Sequence, residues 1–362
     1  MKFSTEFRDP GLVKTLAGKI RSATNKDIVL MEVCGGHTMA IHRYGIPSLL
    51  PENIHLVSGP GCPVCVTSKS YIDHAIALGK RKNLILCTYG DLIRVPGSFS
   101  TLDKEKAGGA DVRIVASTLD ALKIARENPG KEVVFLGIGF ETTAPGSAAA
   151  IVQAHKEQLT NFFLLSAHKI MPPAMEALIT EGIKINGYIC PGHVSTITGS
   201  SIYEFIPAKY GLACVVAGFE PLDILQSVLM LAQQIEQESP RVEIQYKRVV
   251  KPEGNLIAQR LLGEVFELAG DWWRGFGVIP ASGLQLREQY SAFDAAKVFE
   301  VVLPEPKEDK GCICGELLKG LKKPSDCKLF GKACTPSDPV GACMVSSEGA
   351  CAAHYKYAGV SF

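Results

Sequence analysis

The chain has 362 residues, 46% of them apolar and 21% charged, with a formal net charge of +1. That length supports two or three domains with cores of their own, and the scattering of Lys and Arg among acids excludes a general nucleic-acid binder. No run reaches the roughly 18 apolar residues of a membrane span, and the opening MKFSTEFRDPGLVK lacks the apolar centre of a secretory signal, so no membrane is expected and the expected compartment is the cytoplasm.

In chain order, short apolar or β-branched runs predict strands at 27–33, 54–58, 83–89, 112–116, 132–138, 162–166, 185–190 and 213–217. None alternates strictly, which suits strands covered on both faces. Helical periodicity lies between several of them. Residues 69–79 gather Ile72, Ala75, Ile76 and Gly79 on one face, and 118–127 and 147–158 behave similarly. The clearest helix is 222–237, after Pro221, with Leu222, Leu225, Val228, Leu229 and Ala232 at spacings of three and four. Strand and helix in alternation predict an α/β fold with mainly parallel sheets. The polar turn RENPGK suggests a boundary near 127, and VVLPEPKEDKG reads as a linker. The expected division is therefore a first α/β domain at 1–127, a second at 128–303, and a cysteine-rich region at 304–362.

Residues with chemistry stand where the apolar runs stop. MEV leads to Cys34-Gly-Gly-His37, HLVSG to Pro-Gly-Cys62-Pro-Val-Cys65, and FLGIG to Phe-Glu141. LLSA ends in His168, GYIC leads to His193, and CVVAG leads to Glu220. Loops at the carboxyl ends of strands form the binding crevice of open α/β sheets, so these residues are expected around one cleft.

Cys34 and His37 offer a soft thiolate and an imidazole, a pair that suits a metal such as iron or a nucleophile activated by its neighbour. Their glycines permit close backbone approach. The bland alternative is a buried cysteine at a tight turn. Cys62 and Cys65 have the spacing of a redox dithiol; half of a metal site, or plain structure, remain alternatives. Glu141 sits beside a glycine corner, where a carboxylate serves as base, ligand partner or helix cap. GIGFETTAPG has neither GxGxxG nor a Walker lysine, which argues against a nucleotide site. His168 and His193 serve structure as readily as function.

Six of the twelve cysteines (312, 314, 327, 334, 343 and 351) fall in the last 51 residues. Structural disulfides are rare in the cytoplasm, and so small and polar a segment needs a metal, disulfides or docking to hold together. Thiolates select zinc or iron–sulfur centres. The later gaps fit paired zinc hooks poorly. Four ligands around a [4Fe–4S] cube would leave two thiols over, and the spacing leaves open which four.

Taken together, MEVCGGHT (31–38), GPGCPVC (59–65), GFETTAP (139–145), CPGHVS (190–195), AGFEPLDIL (217–225), CKLFGKACTP (327–336) and GACMVSSEGAC (341–351) resemble the HypD family of hydrogenase maturation proteins, from about residue 5 onward. The resemblance implies two α/β domains around a cleft plus the cysteine-rich part. It also implies a redox-active assembly scaffold rather than a turnover enzyme. On such scaffolds, held by the small chaperone HypC, the Fe(CN)2CO unit of [NiFe]-hydrogenase is built. Cyanide comes from HypE, supplied in turn by HypF, and the hydrogenase large subunit is an indirect partner.

Residue by residue, the resemblance implies that Cys34 anchors the iron, with His37 beside it, and that Cys62 and Cys65 are a redox dithiol. It implies Cys312, Cys327, Cys334 and Cys351 as [4Fe–4S] ligands, with Cys314 and Cys343 a disulfide pair nearby. Met39 stands where similar chains can carry a second histidine, which leaves His37 a single-imidazole role. Two other readings use the same residues: a general iron–sulfur thiol–disulfide reductase, and a zinc-stabilised binding module.

Overall fold

The computed structural model describes residues 5–307, 309–357 and 359–360. All eight expected runs form strands: β1 Ile28–Glu32, β2 Ile54–Ser58, β3 Leu84–Thr88, β4 Asp111–Ile114, β5 Glu132–Gly139, β6 Phe162–His168, β7 Gly187–Pro191 and β8 Ala213–Ala217. A short β9, Val242–Ile244, follows, and then an antiparallel hairpin of β10 Phe266–Trp273 and β11 Gly277–Leu286. These three carry only a weak sequence signal, because their outward faces are polar or broken by glycine.

Two sheets are wholly parallel. The first has the order β2-β1-β7-β8-β9 and the second β4-β3-β5-β6. The fold is therefore α/β with parallel sheets, as expected. The division of the chain is different. β3 pairs with β5 across position 127, and β1 pairs with β7 from the far side of the second sheet. The chain starts one sheet, builds the other whole, and returns to finish the first. RENPGK is only the turn between the helix Thr118–Glu127 and β5. A polar Pro-Gly turn looks the same in a linker and in a helix-to-strand loop, while the sheet is decided by which backbone finds a hydrogen-bond partner.

Double coverage explains the unbroken apolar runs. On β3, Leu84 and Leu86 face a core shared with the first sheet, while Ile85 and Cys87 face the helices on the opposite side. On β5 the same alternation separates Val134 and Leu136 from Val133 and Phe135. The shared core also holds Met31, Tyr188 and Val216 of the first sheet, and Cys314, Leu317, Cys343 and Met344 of the tail. The tail thus docks on the body, its last helix Ala350–Tyr357 lying against the helix Gly35–Arg43. No described helix is long and apolar enough to cross a membrane.

Candidate functional site

A cleft of about 580 Å³ opens where the two sheets present their strand ends. Residues following β1, β2, β3, β5 and β7 line it, with Ser346 and Glu348 of the tail closing one side. The tail is tied there by Ser346, whose hydroxyl donates to Asp91 at 2.8 Å. Cys34 and His193 are in the wall, as expected. Glu141, His168 and Glu220 are not among its lining residues.

Cys34 follows β1 by two residues and N-caps the helix Gly35–Arg43. Burial and then the Glu348 carboxylate push the Cys34 pKa up to about 12, only partly offset by the nearby backbone N–H groups of His37 and Gly36. The Cys34 side chain makes no cap hydrogen bond, and the His37 N–H donates to the Cys34 carbonyl at 2.9 Å. Its own N–H donates to Glu32 at 3.0 Å. Burial likewise holds Glu32 up at about 8 and raises Glu348. A thiol and carboxyls that resist ionisation together are an environment short of positive charge, and a bound cation reverses that logic by drawing off their protons.

The relation of His37 to Cys34 runs through the backbone. The His37 ring is fully buried and turned to the end of β8, where Nε2 donates to the carbonyls of Gly218 at 3.0 Å and Ala217 at 3.2 Å. Burial lowers its pKa to about 4, so the ring is neutral. It stacks on Phe219, and Phe219 stacks on His193 at the cleft wall, with centroids 4.6 and 4.1 Å apart. Phe219, inside the GFE string at 218–220, is the aromatic spacer that motif reading passed over in favour of Glu220.

Cys62 and Cys65 form a disulfide, their Cα atoms 5.2 Å apart. The hook is one helical turn, Pro63–Val66, and the next helix begins at Lys69 under a Ser68 cap. Both sulfurs are buried behind the stretch of wall made by Gly61, Pro63 and Val64. Gly61 joins the hook to the Cys34 loop: its carbonyl accepts from Gly35 N–H at 2.9 Å, and a Cβ there would fall 2.1 Å from the Cys34 nitrogen. From the other side Arg274, in the β10–β11 turn, donates to the carbonyls of Cys65 at 3.0 Å and Thr67 at 2.9 Å.

Glu141 is buried and caps a helix, its Oε1 accepting Met171 N–H at 3.0 Å. Oε2 has no partner among the described residues, and burial raises the pKa to about 7. Glu220 N-caps the helix Pro221–Glu236 and pairs with Arg8, Nη2 to Oε1 at 2.7 Å. Neither side chain lines the cleft, although Phe140 and Thr142 on either side of Glu141 do.

All six tail cysteines line one small, mainly apolar pocket. Cys314 and Cys343 are within hydrogen-bonding reach of each other, and that contact is the largest cause raising the Cys343 pKa. Cys312 is raised to about 12 by burial and by its neighbours Cys314, Cys327 and Cys334, and Cys351 is raised by burial and the same group of thiols. Gly341 makes room: a Cβ there would lie 2.7 Å from the Cys312 sulfur. Among the described residues no three ligating side chains converge on a single ion. A four-iron cube takes one thiolate at each corner and so spreads its ligands more widely; six thiols round one apolar pocket fit such a group chemically. Cys87, Cys190 and Cys214 are buried in strands.

The family model HypD, described as the hydrogenase formation hypA family, matches residues 11–358. The chain is 48% identical to hydrogenase maturation factor HypD2 of Bradyrhizobium diazoefficiens, covering 99% of this chain and 97% of that one. It is 49% identical to HypD of Rhizobium leguminosarum bv. viciae, over 99% and 96%. Against HypD of Rhodobacter capsulatus it is 47% identical, over 99% of both chains.

Proposed function

Since the chain belongs to the HypD family of hydrogenase maturation factors, we propose that it is the redox-active scaffold on which, with HypC, the Fe(CN)2CO precursor of [NiFe]-hydrogenase is assembled. The observation that carries this reading is Cys34, a thiol at a helix N-cap in the wall of the cleft between the two sheets, with a cysteine pair behind the adjoining stretch of wall.

Iron is the cargo, and Cys34 holds it. A soft thiolate suits low-spin iron carrying cyanide and carbon monoxide. The thiol must lose its proton on binding, and Glu348 and Asp91 on the cleft wall then serve as anionic neighbours to the complex. Among the described residues Cys34 is the one cysteine lining the cleft, so further thiolate ligation falls to the HypC partner. HypE presents a thiocyanate. Reductive cleavage of its S–C bond takes two electrons and one proton and gives a thiol and cyanide. Cys62 and Cys65 give two electrons and two protons as they close to a disulfide, so the exchange balances with one proton released. A [4Fe–4S] cluster on Cys312, Cys327, Cys334 and Cys351 would supply single electrons to this chain. Cys314 and Cys343 sit in the same pocket as a second thiol pair, and Arg274 braces the hook beside them.

The test is anaerobic infrared spectroscopy with metal analysis of the full chain co-purified with HypC. Cyanide and carbon monoxide bands are expected, with iron beyond the cluster's four and matching sulfide. Cys34→Ala should lose the bands and the extra iron but keep cluster absorption. Bands of native intensity in Cys34→Ala would overturn the anchor. Cluster iron without diatomic bands would instead point to a thiol–disulfide reductase, and zinc in the tail to a binding module.

A further inference from the structure

The two parallel sheets leave four edge strands, β2 and β9 on the first and β4 and β6 on the second. An open edge is a row of unpaired backbone groups that a protein must cover, charge or use. Three of these edges are managed. β4 carries Asp111 and Arg113, and β9 is three residues long with Glu243 at its centre. β6 is covered, with a bridge from Leu164 to Asp294 and another, just past its end, from Lys169 to Gly283. β2 is the exception. Its sequence Ile-His-Leu-Val-Ser has no lysine, proline or acidic residue, and its register with β1 is unbroken.

That register fixes which groups are left over. Ile28 N–H donates to the Asn53 carbonyl at 2.9 Å, and Gly59 N–H to the Glu32 carbonyl at 2.7 Å. Positions 53, 55, 57 and 59 therefore turn to β1. Successive residues of a strand alternate, so the N–H and C=O groups of Leu56 and Ser58 point away from the sheet. Among the described residues no hydrogen bond takes them up.

A cavity of about 700 Å³ runs along Leu56, Val57 and Ser58. One wall is the end of the helix Gly35–Arg43 and the turn after it, with His42 and Pro47. The other is the tail, with Gly320, Lys322 and Lys323. Val57 faces the tail, where a Cβ on Gly320 would lie 3.4 Å from the Val57 Cβ, and Leu56 packs on the opposite face. The tail wall is basic. Residues 319–332 hold five lysines and one acid, Asp326. Lys319 pairs with Glu181 at 2.6 Å, while Lys322 and Lys323 stand exposed at the groove.

We propose that the outer edge of β2 is a docking edge for an extended, acidic segment of a partner protein, which joins the first sheet as one further strand. Its main chain pairs with the free groups of Leu56 and Ser58. Its side chains alternate, apolar ones on the Pro47 side and carboxylates on the side of Lys322 and Lys323. A second copy of this chain is the poorer occupant, because two such edges side by side would bring the two lysine walls together. The docking edge stands apart from the iron chemistry above, since neither Cys34 nor the hook lines this groove.

The experiment is amide hydrogen exchange on the full chain with a synthetic peptide of alternating valine and glutamate, read by mass spectrometry over residues 54–58. The peptide should slow exchange at Leu56 and Ser58 by about tenfold or more, and the same peptide with N-methylated amides should not. Unchanged exchange, or equal protection by the methylated peptide, overturns the strand pairing. The charge preference is tested with Lys322→Glu combined with Lys323→Glu, both on the surface. This variant should bind the valine–glutamate peptide about tenfold more weakly than the native chain and should prefer a valine–lysine peptide. Undiminished affinity for the acidic peptide overturns the acidic class. Protection of Leu56 and Ser58 that rises with protein concentration, with no peptide present, assigns the edge to a second copy and overturns the partner.

Discussion

The cleft and the tail both concentrate thiols, but they hold them differently. At the cleft, Cys34 and the Cys62–Cys65 hook are set by backbone: a strand end, a helix start, and a glycine packed on a peptide nitrogen. In the tail, the six cysteines are themselves the lining of a small pocket, with short helical turns between them. The difference teaches that one thiol site is shaped by backbone contacts of the fold, whereas in the other the thiols themselves form the wall of an apolar pocket.

The sharpest way to break that contrast is Gly61→Ala. Its Cβ meets backbone atoms rather than a flexible side chain, so the loops must separate. A loss of about 3 kcal/mol or more is expected, read as a lower denaturant midpoint. A near-native midpoint would mean that the cleft is looser than its contacts imply.

Next, Cys334→Ala should abolish cluster absorption and expose the tail to limited proteolysis, while the 5–300 body stays resistant. Unfolding of both regions together would erase the distinction. Glu141→Gln probes the body alone. The Glu141 pKa is raised from 4.5 to about 7, so the folded chain keeps a proton that the unfolded chain has released. That contribution is whole below pH 4.5 and is lost as pH rises toward 7, at no more than about 1.4 kcal/mol per pH unit. Gln should flatten this slope in urea titrations across the same window. The smallest effect is expected at the bridge between the regions. Arg274→Lys keeps the charge but loses the fork on the Cys65 and Thr67 carbonyls, for a loss on the order of 1 kcal/mol and faster reduction of the hook by added dithiol.

Glu141 and Glu220 show the limit of motif reading. Both follow a strand in a Gly-Phe-Glu string, and both turn out to cap helices. The residues that do enter the cleft from unremarkable sequence are Tyr89, Asp91 and Glu348. Asp91 follows a predicted strand end and was open to the same reasoning as Cys34. Glu348 lies in the tail, more than three hundred residues along the chain from Cys34, and no local pattern ties the two.

From sequence alone came the eight strands of the two sheets' cores, the main helices, the thiol motifs and their kinship, because apolar periodicity and spacing are properties of short segments. Only the tertiary structure decided that β1 pairs with β7 and β3 with β5, that the tail closes the cleft through Ser346, and that Cys314 meets Cys343. Those are contacts between distant segments. They are chosen by which backbone edges and apolar faces find partners in the whole fold, and no window of the chain contains that choice.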